Sequence, residues 1–277
     1  MTADEQGHVQ TRQEVHGVDF SGAKDAGKKI WIASGQIKGR DLHIICCRPA
    51  KVLPHSGSDL KAALKALRHF IAEQRSSAIG IDFPFGLPQS LVKETSWEAF
   101  VAAMRCYSSP EEFKKKCFER AGGRELKRQT DVDAKTPFSP YNLRLYKQTY
   151  FGIRDVLGPL LEEREICALP MQSPVDDRPW VIEICPASTL SLRLGCSCPY
   201  KKRNKESQEA RERILAKLES RGVTITDEHL RSKIVADSGG NALDSVIAAF
   251  AVFQNLTNCP INWRVGTAIP KEGHVYV

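Results

Sequence analysis

The order of secondary structure near the N-terminus constrains the fold of this chain more than any other sequence feature. Apolar or alternating segments at His16–Phe20, Lys29–Ile37 and Leu42–Val52 predict three consecutive antiparallel strands. Apolar residues then recur at helical spacing from Leu60 to about Gln74, and Ala78–Asp82 is predicted to be a short buried strand. A strand that follows a crossover helix pairs in parallel with an earlier strand. The sequence therefore predicts a mixed α/β sheet.

The segment between the fourth and fifth predicted strands has a different pattern. Residues 90–178 are predicted to form a helical insertion, followed by a fifth strand at Trp180–Cys185. A chain of 277 residues can bury a substantial core, so we expect a single domain over residues 1–277 that contains this insertion. The predicted helices of the insertion and of the C-terminal part, and the turn of a terminal hairpin, are Trp97–Cys106, Pro110–Ala121, Leu143–Glu163, Lys205–Arg221, Asp227–Asp237, Asn241–Leu256 and Lys271–Gly273.

Four acidic residues lie where an isolated charge would be costly to bury. Asp19 ends the first predicted strand and Asp82 ends the fourth; Glu183 lies within the fifth, and Asp244 lies near the start of the last helix. Buried acids are usually paired, hydrogen-bonded or bound to metal. Because the first strand is central and the strands after helices flank it, these acids are expected to converge on one edge of the sheet. Carboxylates in that arrangement suit Mg²⁺ or Mn²⁺, and two such ions can support phosphodiester cleavage.

Each of these acids also has a structural interpretation. Asp19 and Asp82 can cap the turns that follow their strands, and Asp244 can be stabilised by the dipole of its own helix. Glu183 can form a salt bridge with an arginine of the insertion. The sequence leaves these alternatives open beside the metal site.

Positive charge is concentrated in two segments. The chain carries 40 basic and 33 acidic residues, a net charge of 40 − 33 = +7. Arg193–Arg221 contains nine basic and four acidic residues, and Tyr141–Arg154 combines three basic residues with four aromatic ones. Such segments suit phosphate contacts and base stacking, although a solvated helix face also explains them. The candidate substrate-binding residues are Ser21, Lys24, Arg128, Arg144, Lys147, Lys201, Lys202 and Arg203.

Several classes of protein are not indicated. No apolar run is long enough to span a bilayer, the polar N-terminus contains no apolar signal region, and the nine cysteines form no CxxC pair. We therefore expect no membrane association, and reduced thiols in a cytoplasmic protein, or in a nuclear one if the organism is a eukaryote. The complete GxxxxGK[ST] pattern of a phosphate-binding loop is also absent from the sequence.

Five sequence blocks occur in a specific order that extends over nearly the whole chain. They are HGVDFSGAKDAGKKIWIA, IGIDFPFGLP, VIEICPAS, NALDSVIAAFAVF and EGHVYV. Together they resemble the domain-of-unknown-function 429 family, whose members are predicted to be RNase H-like nucleases. The resemblance implies an RNase H-like mixed five-stranded sheet flanked by helices, with the helical insertion between the fourth and fifth strands.

The resemblance also implies a function. It predicts divalent-metal-dependent hydrolysis of phosphodiester bonds in nucleic acid, with Mg²⁺ or Mn²⁺ as cofactor. The residues that match the acids of the family blocks are then both catalytic residues and metal ligands. They are Asp19, Asp82, Glu183 and Asp244.

The chain departs from the family pattern at two places. The E-x-x-P block here contains Cys185 and Ala187, and Asn241 stands where an additional acid is common. These differences keep open a non-catalytic module that binds nucleic acid or protein. A nucleotide phosphotransferase or hydrolase is a further alternative, but such enzymes use a second similar domain and glycine-rich loops. The sequence does not indicate an oligomeric state.

Overall fold

The strands of the described residues form one mixed sheet. The computed structural model describes residues 12–257 and 271–277. The eight strands in these ranges are β1 (Glu14–Asp19), β2 (Trp31–Lys38), β3 (Asp41–Pro49), β4 (Ser77–Ile81), β5 (Cys167–Leu169), β6 (Trp180–Ile184), β7 (Val223–Thr224) and β8 (Val275–Tyr276). Across the sheet their order is β5-β6-β4-β1-β2-β3-β7, and β8 pairs with β6.

Helices cover both faces of the sheet. One face packs against α2 and the helices of the insertion, and the other packs against the four C-terminal helices. Both interfaces are formed mainly by apolar side chains, as a layered α/β core requires. The helices in the described part of the chain are α1 (Ala26–Lys29), α2 (Leu60–Glu73), α3 (Trp97–Ala103), α4 (Pro110–Arg120), α5 (Gln129–Asp133), α6 (Tyr146–Phe151), α7 (Gly158–Glu162), α8 (Pro186–Leu194), α9 (Lys205–Glu219), α10 (Glu228–Ala236) and α11 (Asn241–Thr257).

The five central strands confirm the predicted fold class. β1, β2 and β3 are antiparallel neighbours, and β4 and β6 extend the sheet on the other side of β1, both parallel to it. The order β3-β2-β1-β4-β6 is that of an RNase H-like sheet. The predicted crossover through α2 therefore places β4 next to β1, as the parallel-pairing rule requires.

The predicted number of five strands is too low. β5 lies within the predicted insertion and pairs with β6, while β7 and β8 pair with β3 and β6. Strands of two or three residues show no alternation that a sequence pattern can reveal, so the sequence could not indicate them.

Two other predictions differ from the structure in detail. The helix predicted at Leu143–Glu163 is divided into α6, a π-helical turn at Gly152–Leu157, and α7. Pro159 has no N–H group and therefore cannot continue the regular hydrogen-bond ladder at this point. The first arm of the predicted terminal hairpin lies outside the described residues, and β8 pairs in parallel with β6.

Two glycines on neighbouring strands let α11 approach the sheet closely. Gly17 on β1 is in register with Gly80 on β4. A Cβ at Gly17 would lie 2.1 Å from the backbone oxygen of Ser245 and 2.2 Å from the backbone nitrogen of Ala249. A Cβ at Gly80 would lie 2.7 Å from the side chain of Val252. A side chain at Gly17 would therefore push α11 away from the sheet, and one at Gly80 would displace the side chains of Ile184 and Val252.

The described residues contain no helix that is both long and apolar enough to cross a bilayer. The eight cysteines in the same ranges are free thiols, and the ninth, Cys259, lies outside them.

We expect Gly17→Ala to destabilise the protein strongly, by about 3 kcal/mol or more, because backbone atoms of α11 cannot move aside as a flexible side chain can. Urea unfolding followed by circular dichroism measures this change. Gly57→Ala is the matched control, since the nearest atom to its Cβ is a side-chain oxygen of Asp59 at 3.2 Å. Similar losses in the two variants would contradict the steric explanation.

Candidate functional site

Asp19, Asp82 and Asp244 meet at one end of the contact between α11 and the sheet. Asp19 and Asp82 each lie two residues after one of the paired glycines, so their side chains leave the sheet on the face that α11 covers. Asp244 lies one helical turn before Ala248, whose backbone is close to both glycines. The close approach of α11 therefore also brings the three acids together.

The three carboxyl groups interact electrostatically. Burial raises the pKa of Asp19 well above its usual range, and the charges of Asp244 and Asp82 raise it further. Burial and the charge of Asp244 raise the pKa of Asp82 to about 7. Asp19 is only 6% exposed and Asp244 only 1%, so water screens these charges poorly. The ionised cluster is unfavourable unless cations neutralise it.

Asp244 is held by two residues of the segment between α8 and α9. The hydroxyl of Tyr200 donates a hydrogen bond of 2.6 Å to Oδ1 of Asp244, and the ammonium of Lys201 forms an ion pair with Oδ2. Burial raises the pKa of Asp244, and the charge of Lys201 opposes this rise. Lys201, which the sequence predicted to contact substrate, supplies one positive charge to the acid cluster.

Glu183 is separated from the other three acids by the register of β6. It pairs with Ile81 and not with Asp82. Because side chains alternate between the faces of a sheet, Glu183 leaves the face opposite to α11. Its two carboxylate oxygens accept hydrogen bonds from the guanidinium of Arg128, and the N–H of Phe85 donates to Oε2 at 2.8 Å. Asp19, Asp82 and Asp244 therefore form a cluster on the α11 side of the sheet, whereas Glu183 forms a salt bridge to an arginine of the insertion. Glu183 still lines the same cleft as Asp19 and Asp82, and its charge contributes to the raised pKa of Asp82.

Arg128 uses all of its side-chain N–H groups within the protein. Besides Glu183, it donates to both carboxylate oxygens of Asp131, at 2.9 and 2.7 Å, and to the backbone oxygen of Glu272 at 3.0 Å. The expected contact between Arg128 and substrate does not fit this arrangement, because no donor is left over. The network instead joins the insertion, β6 and the C-terminal segment.

A cleft of about 460 Å³ opens beside the acids. Its floor consists of the residues at the ends of β1, β4 and β6, one wall belongs to the insertion, and the other contains Tyr200, Lys201 and Asn241. The cleft therefore separates two basic segments that the sequence predicted to bind phosphates. Of the predicted substrate-binding residues, Ser21, Arg128, Arg144, Lys147 and Lys201 line the cleft, whereas Lys24, Lys202 and Arg203 are not in its lining.

Two residues of the site were not indicated by the sequence. Tyr200 holds Asp244, and the ring of Phe138 lies 5.4 Å from the guanidinium carbon of Arg144. The only sequence signal for Tyr200 was its position directly before a run of basic residues. Phe138 lies in a polar, proline-rich segment without periodicity, so nothing in the sequence assigned it a partner.

The oxygen ligands at the cleft floor suit a divalent cation, although they do not form a finished metal cage. Within the described ranges, no group of three or more His, Cys, Asp or Glu side chains is arranged to hold an ion as it stands. The carboxylates of Asp19 and Asp82 accept no hydrogen bond from the described residues. Three ionised carboxylates and the single ammonium of Lys201 leave a charge of −3 + 1 = −2. Hard oxygen ligands with this charge fit Mg²⁺ or Mn²⁺.

The strand order, with acids at the ends of two neighbouring central strands, defines this protein as RNase H-like in its fold. The chain belongs to the family described as "Protein of unknown function (DUF429)", which matches residues 17–254. No curated protein matches the sequence. Among solved structures, the chain is similar to the crystal structure of the yeast mitochondrial Holliday junction resolvase Ydc2, with 10% sequence identity and a TM-score of 0.35. The similarity covers 93% of this chain and 86% of the resolvase chain, and we transfer no residue role from it.

The raised pKa of Asp82 predicts how stability depends on pH when no divalent cation is present. A carboxyl group whose pKa is higher in the folded than in the unfolded state stabilises the fold at low pH, and this contribution is lost as the pH rises through the folded pKa. With a folded pKa of about 7, the wild type should lose stability between about pH 4 and pH 7. Asp82→Asn should be about 1–2 kcal/mol more stable than the wild type at pH 8 and similar to it near pH 4.

Thermal unfolding in the presence of EDTA at several pH values measures this difference. Asp177→Asn, which removes an exposed carboxylate, is the control and should leave the pH profile unchanged. A wild-type protein that is as stable at pH 8 as at pH 5, with no gain from Asp82→Asn, would be inconsistent with the repulsion between these acids.

Glu183→Gln should destabilise the protein by about 3 kcal/mol or more, because it leaves the buried guanidinium of Arg128 short of a charged partner. Glu162→Gln is the matched control, since it breaks the exposed Arg105–Glu162 ion pair and should cost less than about 1 kcal/mol. Urea unfolding of both variants makes the comparison, and equal losses would speak against a structural role of the buried pair.

Proposed function

We propose that this protein is a hydrolase that cleaves phosphodiester bonds in nucleic acid and requires Mg²⁺ or Mn²⁺. The observation that carries the proposal is the cluster of Asp19, Asp82 and Asp244, of which Asp19 and Asp82 line the floor of a cleft with basic residues in its walls. Buried carboxylates that repel one another lower stability, and such groups concentrate at functional sites. A reaction that needs a divalent cation and acts on a polyanion accounts for both the acids and the basic walls.

The roles of the residues follow from their positions. Asp19 lies on the central strand, and the charges of both other acids raise its pKa, which shows that it is close to both. It is therefore placed to coordinate a cation together with either of them. Asp82 is the most exposed of the three and is placed to orient the attacking water. Tyr200 fixes the carboxylate of Asp244. A bound divalent cation would lower the pKa of a coordinated water and stabilise charge on the leaving oxygen.

The ammonium of Lys201 reduces the number of metal ions that the cluster needs. One positive charge is already present at Asp244, so a single divalent cation balances the remaining charge of −2. Arg144 on the opposite wall is placed to hold a phosphate of the substrate. We therefore favour a site with one divalent cation over the two-ion site that the sequence suggested.

A non-catalytic binding module is the second candidate, and two contacts favour it. Glu183 and Asp244 are both already paired with cations of the protein, Arg128 and Lys201. In this case Lys201 would replace the metal permanently. The basic walls of the cleft would then bind nucleic acid without cleaving it.

Calorimetric titration with Mn²⁺, together with a cleavage assay, distinguishes the two candidates. Labelled single-stranded, duplex, hybrid and branched nucleic acids are incubated with Mg²⁺ or Mn²⁺. We expect Asp19→Asn to lower the cleavage rate by at least about 100-fold, because it removes a ligand from the central strand. Asp177→Asn should leave the rate unchanged. Absence of both Mn²⁺ binding and cleavage by the wild type would overturn the nuclease proposal in favour of the binding module.

A further inference from the structure

The acids of the cleft floor are recessed below the molecular surface. Asp19 and Asp244 are almost fully buried, and the cleft is bounded by the insertion on one side and by Tyr200 and Lys201 on the other. Its volume of about 460 Å³ lies within the range of small-ligand sites, roughly 300–1,000 Å³. A nucleotide fits this space, whereas a whole duplex, whose major groove alone is roughly 12 Å wide, does not. A phosphate that stays within a duplex is therefore kept away from the acids.

The insertion presents an aromatic and apolar surface at the mouth of the cleft. The guanidinium of Arg144 lies over the ring of Phe138, and both residues line the cleft. Leu143, which precedes Arg144 in the sequence, is 70% exposed but lies outside the lining of the cleft. An aromatic ring with a planar guanidinium is a surface on which unpaired bases stack. Bases within a duplex offer no free face to such a surface.

Exposed cations without carboxylate partners extend on both sides of the cleft. Within the described ranges, Arg144 forms no salt bridge on the insertion side, and Lys202 and Arg203 form none on the opposite side, directly after Lys201. By contrast, Lys147 and Lys205 are paired with Glu111 and Glu209. Free cations on both sides match the repeated charge of a phosphate backbone that crosses the cleft.

From these observations we propose that the cleft takes a single strand of nucleic acid and discriminates against base-paired duplex. One nucleotide enters the cleft, its neighbour stacks on Phe138, and the backbone runs between Arg144 and the Lys202–Arg203 side. The inference rests on the proposed function for the cleavage step, but strand binding is independent of cleavage. It assigns Phe138 as a residue that determines specificity.

Equilibrium binding in EDTA tests the inference without any cleavage. Fluorescently labelled single-stranded DNA, single-stranded RNA and a hairpin duplex of equal length are titrated with the full-length protein and followed by anisotropy. We expect single strands of at least one type to bind at least tenfold more tightly than the duplex. Phe138→Ala should weaken single-strand binding roughly tenfold, and Phe138→Trp should retain it, because tryptophan also stacks.

A base analogue whose fluorescence is quenched on stacking, 2-aminopurine, reports the contact directly. Its fluorescence should fall when wild-type protein is added, and fall less with Phe138→Ala. Ile45→Ala is the matched control, because it removes an exposed apolar side chain on β3, outside the lining of the cleft, and should change neither measurement.

The outcomes separate this inference from the proposed function. Equal binding of duplex and single strands, or single-strand binding that Phe138→Ala leaves intact, would overturn the inference even if the protein is a nuclease. Preferential single-strand binding that depends on Phe138 would support it even if no cleavage occurs, and the nuclease proposal alone would then fail.

Discussion

Close packing of α11 against the middle of the sheet governs both the fold and the site. Only glycine at Gly17 leaves room for the helix backbone, and a Cβ at Gly80 would collide with the side chains of Ile184 and Val252. The same contact fixes the position of Asp244 relative to the ends of β1 and β4, and thereby places it close to Asp19 and Asp82. A helix displaced by the thickness of one methyl group would disturb the core and separate the acids at once. Stability and the candidate chemistry therefore depend on one steric condition.

A second buried network determines the shape of the cleft. Arg128 joins Asp131 of the insertion, Glu183 of β6 and the backbone of Glu272, so that three distant parts of the chain are held by one side chain. Further contacts fasten the same region, since the carboxylate of Glu272 accepts hydrogen bonds from the backbone N–H groups of Gln89 and Gln129. The insertion is thus anchored beside the acids, and its basic and aromatic residues form a fixed wall of the cleft.

The two networks differ in how many of their acids have a charged partner. Glu183 and Asp131 each pair with the guanidinium of Arg128, which satisfies its hydrogen-bonding capacity inside the protein and leaves a charge of −2 + 1 = −1. Asp19, Asp82 and Asp244 share the single ammonium of Lys201 and keep an excess of negative charge. Asp19, Asp82 and Glu183 all line the cleft from the ends of central strands, but of these three only Glu183 forms a salt bridge within the described residues. This contrast is why we propose catalytic roles for the three aspartates and a positioning role for Glu183.

Local sequence patterns were sufficient for the order of the central strands, the crossover through α2 and the positions of the acids at strand ends. These features depend on apolar periodicity and on the pairing rule for crossover connections, which act over short stretches of chain. The edge strands β5, β7 and β8 are too short to have a pattern. The partners of the acids also depend on contacts between residues far apart in sequence. A register that aligns Glu183 with Ile81, and not with Asp82, sends its side chain to the other face of the sheet. Neither that register nor the meeting of Lys201 with Asp244 can be deduced from the spacing of residues, because both are set by how the separate elements pack together.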